Sequence, residues 1–302
     1  MRVFVTGATG YIGSAITADL IAARHQVTGL ARSDDSAAAL IAAGADVHRG
    51  SLEDLDSLRA GAAASDGVIH NAFENVGPNT DFAASVRADL TAVLTMGDAL
   101  AGSGRPFVVT SGTAGLPSGR LATEDDSPVP GSPRGATEAA ALALATRDVR
   151  VSVVRLAPSV HSDVDTRGFV PSLIAIARAK GESAYVGDGS NRWSAVHRLD
   201  AARLFRLALE EAPPGARLHG VGDEGMQFRE IASVIGRHLQ LPVVSVPADD
   251  ARDHFDWLTP FVQADNWVSS TLTQKQLGWH PDQPGLIADL EAGHYFRDAE
   301  WR

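Results

Sequence analysis

Three glycines spaced three apart, Gly7, Gly10 and Gly13, follow the apolar run Val3-Phe4-Val5 and Thr6 and carry the clearest chemistry in the chain. Gly7 allows a tight turn, Gly10 lets the backbone approach a pyrophosphate, and Gly13 lets the following helix pack closely on the strand. The N-terminus of that helix then faces the negative charge. With Thr6, Thr9, Tyr11 and Ile12 completing the cradle, the stretch reads as a dinucleotide-binding turn. Roughly 20 residues further on, where the second strand of such a unit ends beside the adenosine ribose, stands Arg32-Ser33. An acidic residue there binds a ribose 2′-hydroxyl, whereas an arginine beside a hydroxyl holds a 2′-phosphate, so the pair predicts NADP(H) over NAD(H). Asp34 and Asp35 reverse the preference if the strand runs two residues further.

Other chemistries are excluded. The 302 residues contain no cysteine, which removes disulfides, thiol nucleophiles and thiolate metal sites. The 10 histidines form no paired metal-ligand motif, so no metal is expected. A net charge of −11 argues against a nucleic-acid or anionic-membrane surface. The chain starts directly on a strand and has no apolar run of membrane-spanning length, so a cytoplasmic protein is expected.

The elements that position the glycine turn follow from periodicity. Val3 to Val5 suit a buried parallel strand, and Ile12, Ile16 and Leu20 recur every four residues as one apolar helix face. Strands are expected over 26–33, 45–50, 67–72, 105–112 and 151–156, with helical patterns over 53–63, 81–101 and 135–147. This alternation predicts an α/β fold of Rossmann type, a doubly wound parallel sheet with ligands at the carboxyl ends of its strands. The expected division is a nucleotide-binding domain over 1–157, rejoined by about 195–214, and a smaller substrate-binding region mainly over 158–302.

The spacing Thr-Gly-x-x-Gly-x-x-Gly resembles the extended short-chain dehydrogenase/reductase superfamily, of the NAD(P)-dependent epimerase/dehydratase kind. Later stretches extend the resemblance across nearly the whole chain. Gly50-Ser51-Leu52-Glu53-Asp54 resembles a Gly-Asp-Leu-x-Asp run whose first acidic residue meets adenine, with Ser51 as a departure. Val68-Ile69-His70-Asn71-Ala72 resembles a run whose backbone lines the cofactor ribose, and Pro158 to Val160 fall in the loop that meets the nicotinamide. The segment from Tyr185 to Asp200 resembles the family's substrate region, which makes Arg192, Trp193 and His197 substrate candidates; Thr113, the alternative register to Ser111 for the family's Ser/Thr position, is a further one. Gln276-Leu277-Gly278-Trp279-His280-Pro281 also has a counterpart there. The resemblance implies a homodimer paired through the alanine-rich helix after Gly135.

The resemblance also implies a Ser/Thr, Tyr and Lys set, with Tyr and Lys in a Pro-Tyr-x-x-Ser-Lys motif. At that register the chain reads Pro133-Arg134-Gly135-Ala136-Thr137-Glu138, so Arg134 replaces the tyrosine and Glu138 the lysine. An arginine is a poor general acid near neutral pH but a good fixed charge for a developing alkoxide. Glu138 is expected to pair with Arg134 at the i, i+4 spacing or to meet the ribose. Ser111 matches the Ser/Thr position, and Arg87 falls near a usual helix asparagine. His161 follows the sixth strand, and an imidazole there can supply a proton.

The resulting expectation is an NADP(H)-dependent reductase of a small carbonyl compound, with Ser111, Arg134, His161 and Glu138 as its non-standard catalytic set. Two alternatives stand beside it: a non-catalytic NADP(H)-sensing protein, and an epimerase or dehydratase that retains its cofactor.

Overall fold

The N-terminal apolar run forms β1 (Arg2–Thr6), buried on both faces from Val3 onward. The structure, a computed structural model, describes residues 1–73, 77 and 80–297. After the glycine turn come α1 (Tyr11–Ala22), β2 (Gln26–Ala31), α2 (Asp34–Ala42), β3 (Asp46–Arg49), α3 (Leu55–Ala63), β4 (Gly67–His70), α4 (Phe82–Leu100), β5 (Pro106–Gly112), α5 (Gly135–Ala143) and β6 (Arg150–Leu156). The second strand stops at Ala31 because Ser33 caps α2, its hydroxyl accepting the Ser36 N–H.

The order β3, β2, β1, β4, β5, β6 is completed by β10 (Ala216–Gly220), and every neighbouring pair runs parallel. The direction of winding reverses between β1 and β4, so the crevice for a ligand opens beyond Thr6 and His70, which are partners in register. One face of the sheet is covered by α1 and by α7 (Arg198–Glu211), through Ile16, Leu20, Leu204 and Phe205. The other is covered by α3, α4 and α5, through Leu58, Val93, Met96 and Ala141. This is the expected doubly wound Rossmann sheet.

The smaller C-terminal region grows from insertions around that sheet. β7 (Ser159–His161) follows β6, and α6 (Phe169–Lys180), β8 (Ser183–Val186) and β9 (Arg192–His197) lead into α7. After β10 come β11 (Asp223–Gln227), α8 (Phe228–Leu239), β12 (Val243–Val246), α9 (Ala251–Phe255), α10 (Thr259–Val262), α11 (Thr271–Leu277) and α12 (Leu286–Glu291). β9 lies between β7 and β11, and β8 pairs with β12. α8 turns Phe228, Ile231, Val234 and Ile235 inward, onto a core shared with Trp193, Phe255 and Tyr295. No helix among the described residues is long and apolar enough to cross a membrane.

Candidate active site

The glycine turn closes on itself before α1 begins, with the Gly10 N–H donating to the Gly7 carbonyl at 3.0 Å. Gly7 has φ +70°, and a Cβ on it would lie 2.8 Å from the Ala72 nitrogen, while one on Gly13 would lie 1.9 Å from the Gly7 oxygen. The fold itself therefore demands glycine at both positions. At Gly10 the only neighbour within contact among the described residues is that same oxygen, at 3.2 Å. There the glycine leaves a bare approach to the N-terminus of α1, which has no side-chain cap and no acidic residue in its first turn. A pyrophosphate fits such a cradle. Thr9 and Gly10 are exposed, Tyr11 and Ile12 partly so.

Thr6 links the turn to β4. Its hydroxyl lies 2.7 Å from His70 Nδ1 and accepts the Ala72 N–H at 3.2 Å. His70 Nε2 meets Asp89 Oδ1 on α4 at 3.2 Å, both side chains 1 % exposed. Asp89 in turn accepts from Arg134 Nη2 at 3.1 Å, and the same nitrogen donates to the Thr110 carbonyl at 2.6 Å. Burial pushes the Asp89 carboxyl up, but the hydrogen bond from His70 and the charge of Arg134 outweigh it and leave the group below the usual carboxylate range. Arg134 also stacks on Phe73, 4.4 Å from ring centre to guanidinium carbon.

The residue expected in the asparagine register, Arg87, is exposed, and Asp89 is the one that faces inward. Its signal was in the sequence: Ser85, Asp89, Ala92, Val93 and Met96 share one buried helix face. Ser111, next to the Thr110 anchor, is 7 % exposed. Asn71 accepts from the Thr110 hydroxyl at 3.2 Å, and its N–H donates to the Thr6 carbonyl at 3.3 Å.

Glu138 does not pair with Arg134. It turns into the core, where Oε2 accepts from Arg155 Nε at 3.0 Å and Oε1 from Arg155 Nη2, with Arg217 Nε at 3.6 Å. The helical spacing brings the two residues to neighbouring turns, but Asp89 from another element claims the arginine. Arg155 also reaches His219 Nε2 at 3.2 Å, and His219 Nδ1 lies 2.7 Å from the Ser269 carbonyl. Burial holds the His219 imidazole down to about 4.

His161 on β7 is fully buried, with Nδ1 2.7 Å from Asp289 of α12 and Nε2 without a hydrogen-bond partner among the described residues. Its ring lies edge-on to His197, 5.4 Å between centres. Val160 is half-buried and Pro158 lies between β6 and β7. Of the other substrate candidates, Arg192 is bound by Asp265 at 2.9 and 2.7 Å and stacks on Trp267. Trp193 is 1 % exposed and donates to the Phe261 carbonyl. Thr113 is buried and exchanges two hydrogen bonds with Asn266. Asp265, Asn266, Trp267 and Asp289 lie far along the chain from their partners and had no local signal.

At the adenosine end, Arg32 is exposed and the Ser33 hydroxyl is engaged within its cap, accepting from the Ser36 N–H at 3.2 Å. Asp34, beside it, pairs with Arg49 at 2.6 Å. Ser51 Oγ accepts the Glu53 N–H at 3.3 Å, and Leu52 packs against the core under α3.

Residues 3–218 match the NAD dependent epimerase/dehydratase family. The chain belongs to that family. It is 47 % identical over 298 residues to an uncharacterized protein of Schizosaccharomyces pombe, a match covering 98 % of this chain and 100 % of the other. Among solved structures, MoeE5 in complex with UDP-glucuronic acid and NAD superposes with a TM-score of 0.74 at 23 % identity, covering 96 % of this chain and 97 % of MoeE5. The UDP-glucuronic acid 4-epimerase of Bacillus cereus, in complex with UDP-glucuronic acid and NAD, gives 0.75 at 18 %, covering 97 % and 98 %.

These epimerase/dehydratase folds correct one expectation. The nucleotide bound in both solved relatives is NAD, which overturns NADP(H) as the cofactor and the NADP(H)-dependent carbonyl reductase built on it. The local structure gives a physical reason: the Ser33 hydroxyl is spent on a helix cap, and Asp34 and Asp35 in the first turn of α2 place negative charge beside Arg32.

Proposed function

We propose that the chain is an NAD-dependent oxidoreductase of the epimerase/dehydratase type, which retains its cofactor and uses it transiently on a small hydroxyl- or carbonyl-bearing molecule. When bound, NAD supplies a hydride acceptor that can return the hydride. The observation that carries the reading is the anchoring of Arg134 on Asp89 and on the carbonyl of Thr110, the residue before Ser111, one strand from the crevice at Thr6 and His70. Arg134 then stands in place of the family's tyrosine and Glu138 in place of its lysine.

In this reading the guanidinium stabilises substrate oxygen as it gains charge, and the Ser111 hydroxyl donates to the same oxygen. Proton exchange falls to His161 or to water, since an arginine keeps its proton. Arg192 and His197, on β9, belong to the substrate side. The region over 158–302 supplies that side, and the nucleotide lies over 1–157. A homodimer through α4 and α5 is supported by Ala136, Ala139 and Ala143, exposed at successive turns of α5, and by Leu94, 42 % exposed on α4.

The test is to release nucleotide from the purified protein with acid and identify it by mass, then to assay sugar nucleotides and smaller hydroxy and keto compounds without added cofactor. NAD or NADH in near-stoichiometric amount is expected. Protein that carries no nucleotide and does not bind added NAD refutes the proposal.

A further inference from the structure

We infer that Asp89 is the positioning residue for Arg134, and that His70 and Thr6 tie it to the glycine turn, so that the dinucleotide cradle and the oxygen-holding guanidinium form one hydrogen-bonded unit. The inference rests on the role given above to Arg134.

The direction of each bond follows from what each group can donate. A carboxylate only accepts, so His70 Nε2 carries its proton toward Asp89. Nδ1 is then left to accept, and the Thr6 hydroxyl, which already accepts the Ala72 N–H, donates to it. The chain therefore runs Ala72 N–H to Thr6, Thr6 O–H to His70, His70 N–H to Asp89, with Arg134 donating to Asp89 from the far side. Every dipole points at the one buried carboxylate, an arrangement in which neighbouring bonds reinforce one another. The backbone supports it: Thr6 and His70 are partners across β1 and β4, and the His70 carbonyl accepts from Thr110 at 2.9 Å.

Arg134 is held on one edge. Nη2 serves both Asp89 and Thr110, Nε is buried without a partner among the described residues, and the side chain is 20 % exposed. Without Asp89 the guanidinium keeps the Thr110 carbonyl and the Phe73 ring, both neutral, and loses the one charged acceptor that fixes its edge.

Asp89→Asn tests this without changing shape. Among the described residues Oδ2 touches Arg134, while Oδ1 touches both Arg134 and His70. An amide has one acceptor, and arginine can only donate, so the amide oxygen goes to Arg134 and the amide N–H faces His70. His70 Nε2 must then accept, and its proton moves to Nδ1.

The experiment uses the full chain as purified. Nitrogen NMR of the histidine side chains reads the His70 tautomer, and peptide mass mapping after phenylglyoxal treatment reads the reactivity of Arg134. Expected are an Nε2–H tautomer in the wild type, an Nδ1–H tautomer in Asp89→Asn, and Arg134 modified about tenfold faster in the variant. A buried carboxylate serving stability alone would lower the melting temperature and move neither readout. Thr6→Val, of the same shape, removes the hydroxyl at the other end. It serves if Asp89→Asn does not fold, and a smaller rise in Arg134 reactivity is expected from it. Unchanged tautomer and unchanged reactivity overturn the inference. Missing nucleotide in the wild type would sink the NAD reading instead, while both readouts here remain valid.

Discussion

Replacing Glu138 with lysine, the residue that the family resemblance implies at this position, is expected to unfold the protein rather than restore a standard site. The Glu138 and Arg155 side chains are 2 % and 0 % exposed, and both carboxylate oxygens are taken by the guanidinium. Removing one partner of a buried ion pair costs about 3–5 kcal/mol, because the other charge stays buried. A lysine ammonium at about 4 Å from Arg155 adds roughly 4 kcal/mol of repulsion at an effective dielectric constant near 20. Arg217, 3.6 Å from the same carboxylate, adds to it. The sum approaches the whole stability of an ordinary folded chain, about 5–15 kcal/mol. The assay is urea unfolding followed by circular dichroism, with Glu138→Gln in parallel. The glutamine variant suffers the first loss only and is expected to unfold between wild type and Glu138→Lys. A Glu138→Lys midpoint at or above that of Glu138→Gln refutes the electrostatic account.

The remaining predictions concern pH and the glycines. His219 has its folded pKa held down to about 4, below the ordinary 6.5, so the unfolded chain binds the extra proton first. Stability is therefore expected to fall as pH drops from about 6.5 to about 4, by up to roughly 3 kcal/mol, and to level off below. Urea midpoints measured across that range should fall less steeply in His219→Asn, and identical slopes would refute the assignment. Gly13→Ala forces a Cβ to 1.9 Å from the Gly7 oxygen and is expected to destabilise the fold by several kcal/mol, as overpacking against backbone does. Gly10→Ala, with one neighbour at 3.2 Å among the described residues, is expected to lose nucleotide and to melt near the nucleotide-free wild type. Retained nucleotide in Gly10→Ala would place the pyrophosphate elsewhere.

Much of the sheet was legible because burial on both faces leaves near-continuous apolar runs, as in Val3 to Val5 and Val151 to Val154. β2 ends at Ala31, two residues short of the strand expected over 26–33. A serine capping α2 looks, in one dimension, like the last residue of a strand and a ligand for phosphate; only the Ser33–Ser36 hydrogen bond distinguishes them. The candidate site was partly legible. Thr6, Ser111 and Arg134 sit at strand ends or a helix start, where local pattern fixes position, but nothing local in the sequence gives His70 its partner Asp89.

By itself the sequence determined the strand-turn-helix cradle, the doubly wound order and the absence of thiol chemistry, because these depend on residue type and on contacts a few positions apart. Tertiary structure decided the partners. Glu138 and Arg134 share a helix spacing, yet the first is taken by Arg155 from β6 and the second by Asp89 from α4. His161 acquires Asp289 from 128 residues away. A buried charge goes to whichever opposite charge the packing brings within hydrogen-bond reach, since leaving it unpaired costs several kcal/mol, roughly ten times the fraction of a kcal/mol that a local i, i+4 pair supplies. That choice is made by the fold as a whole.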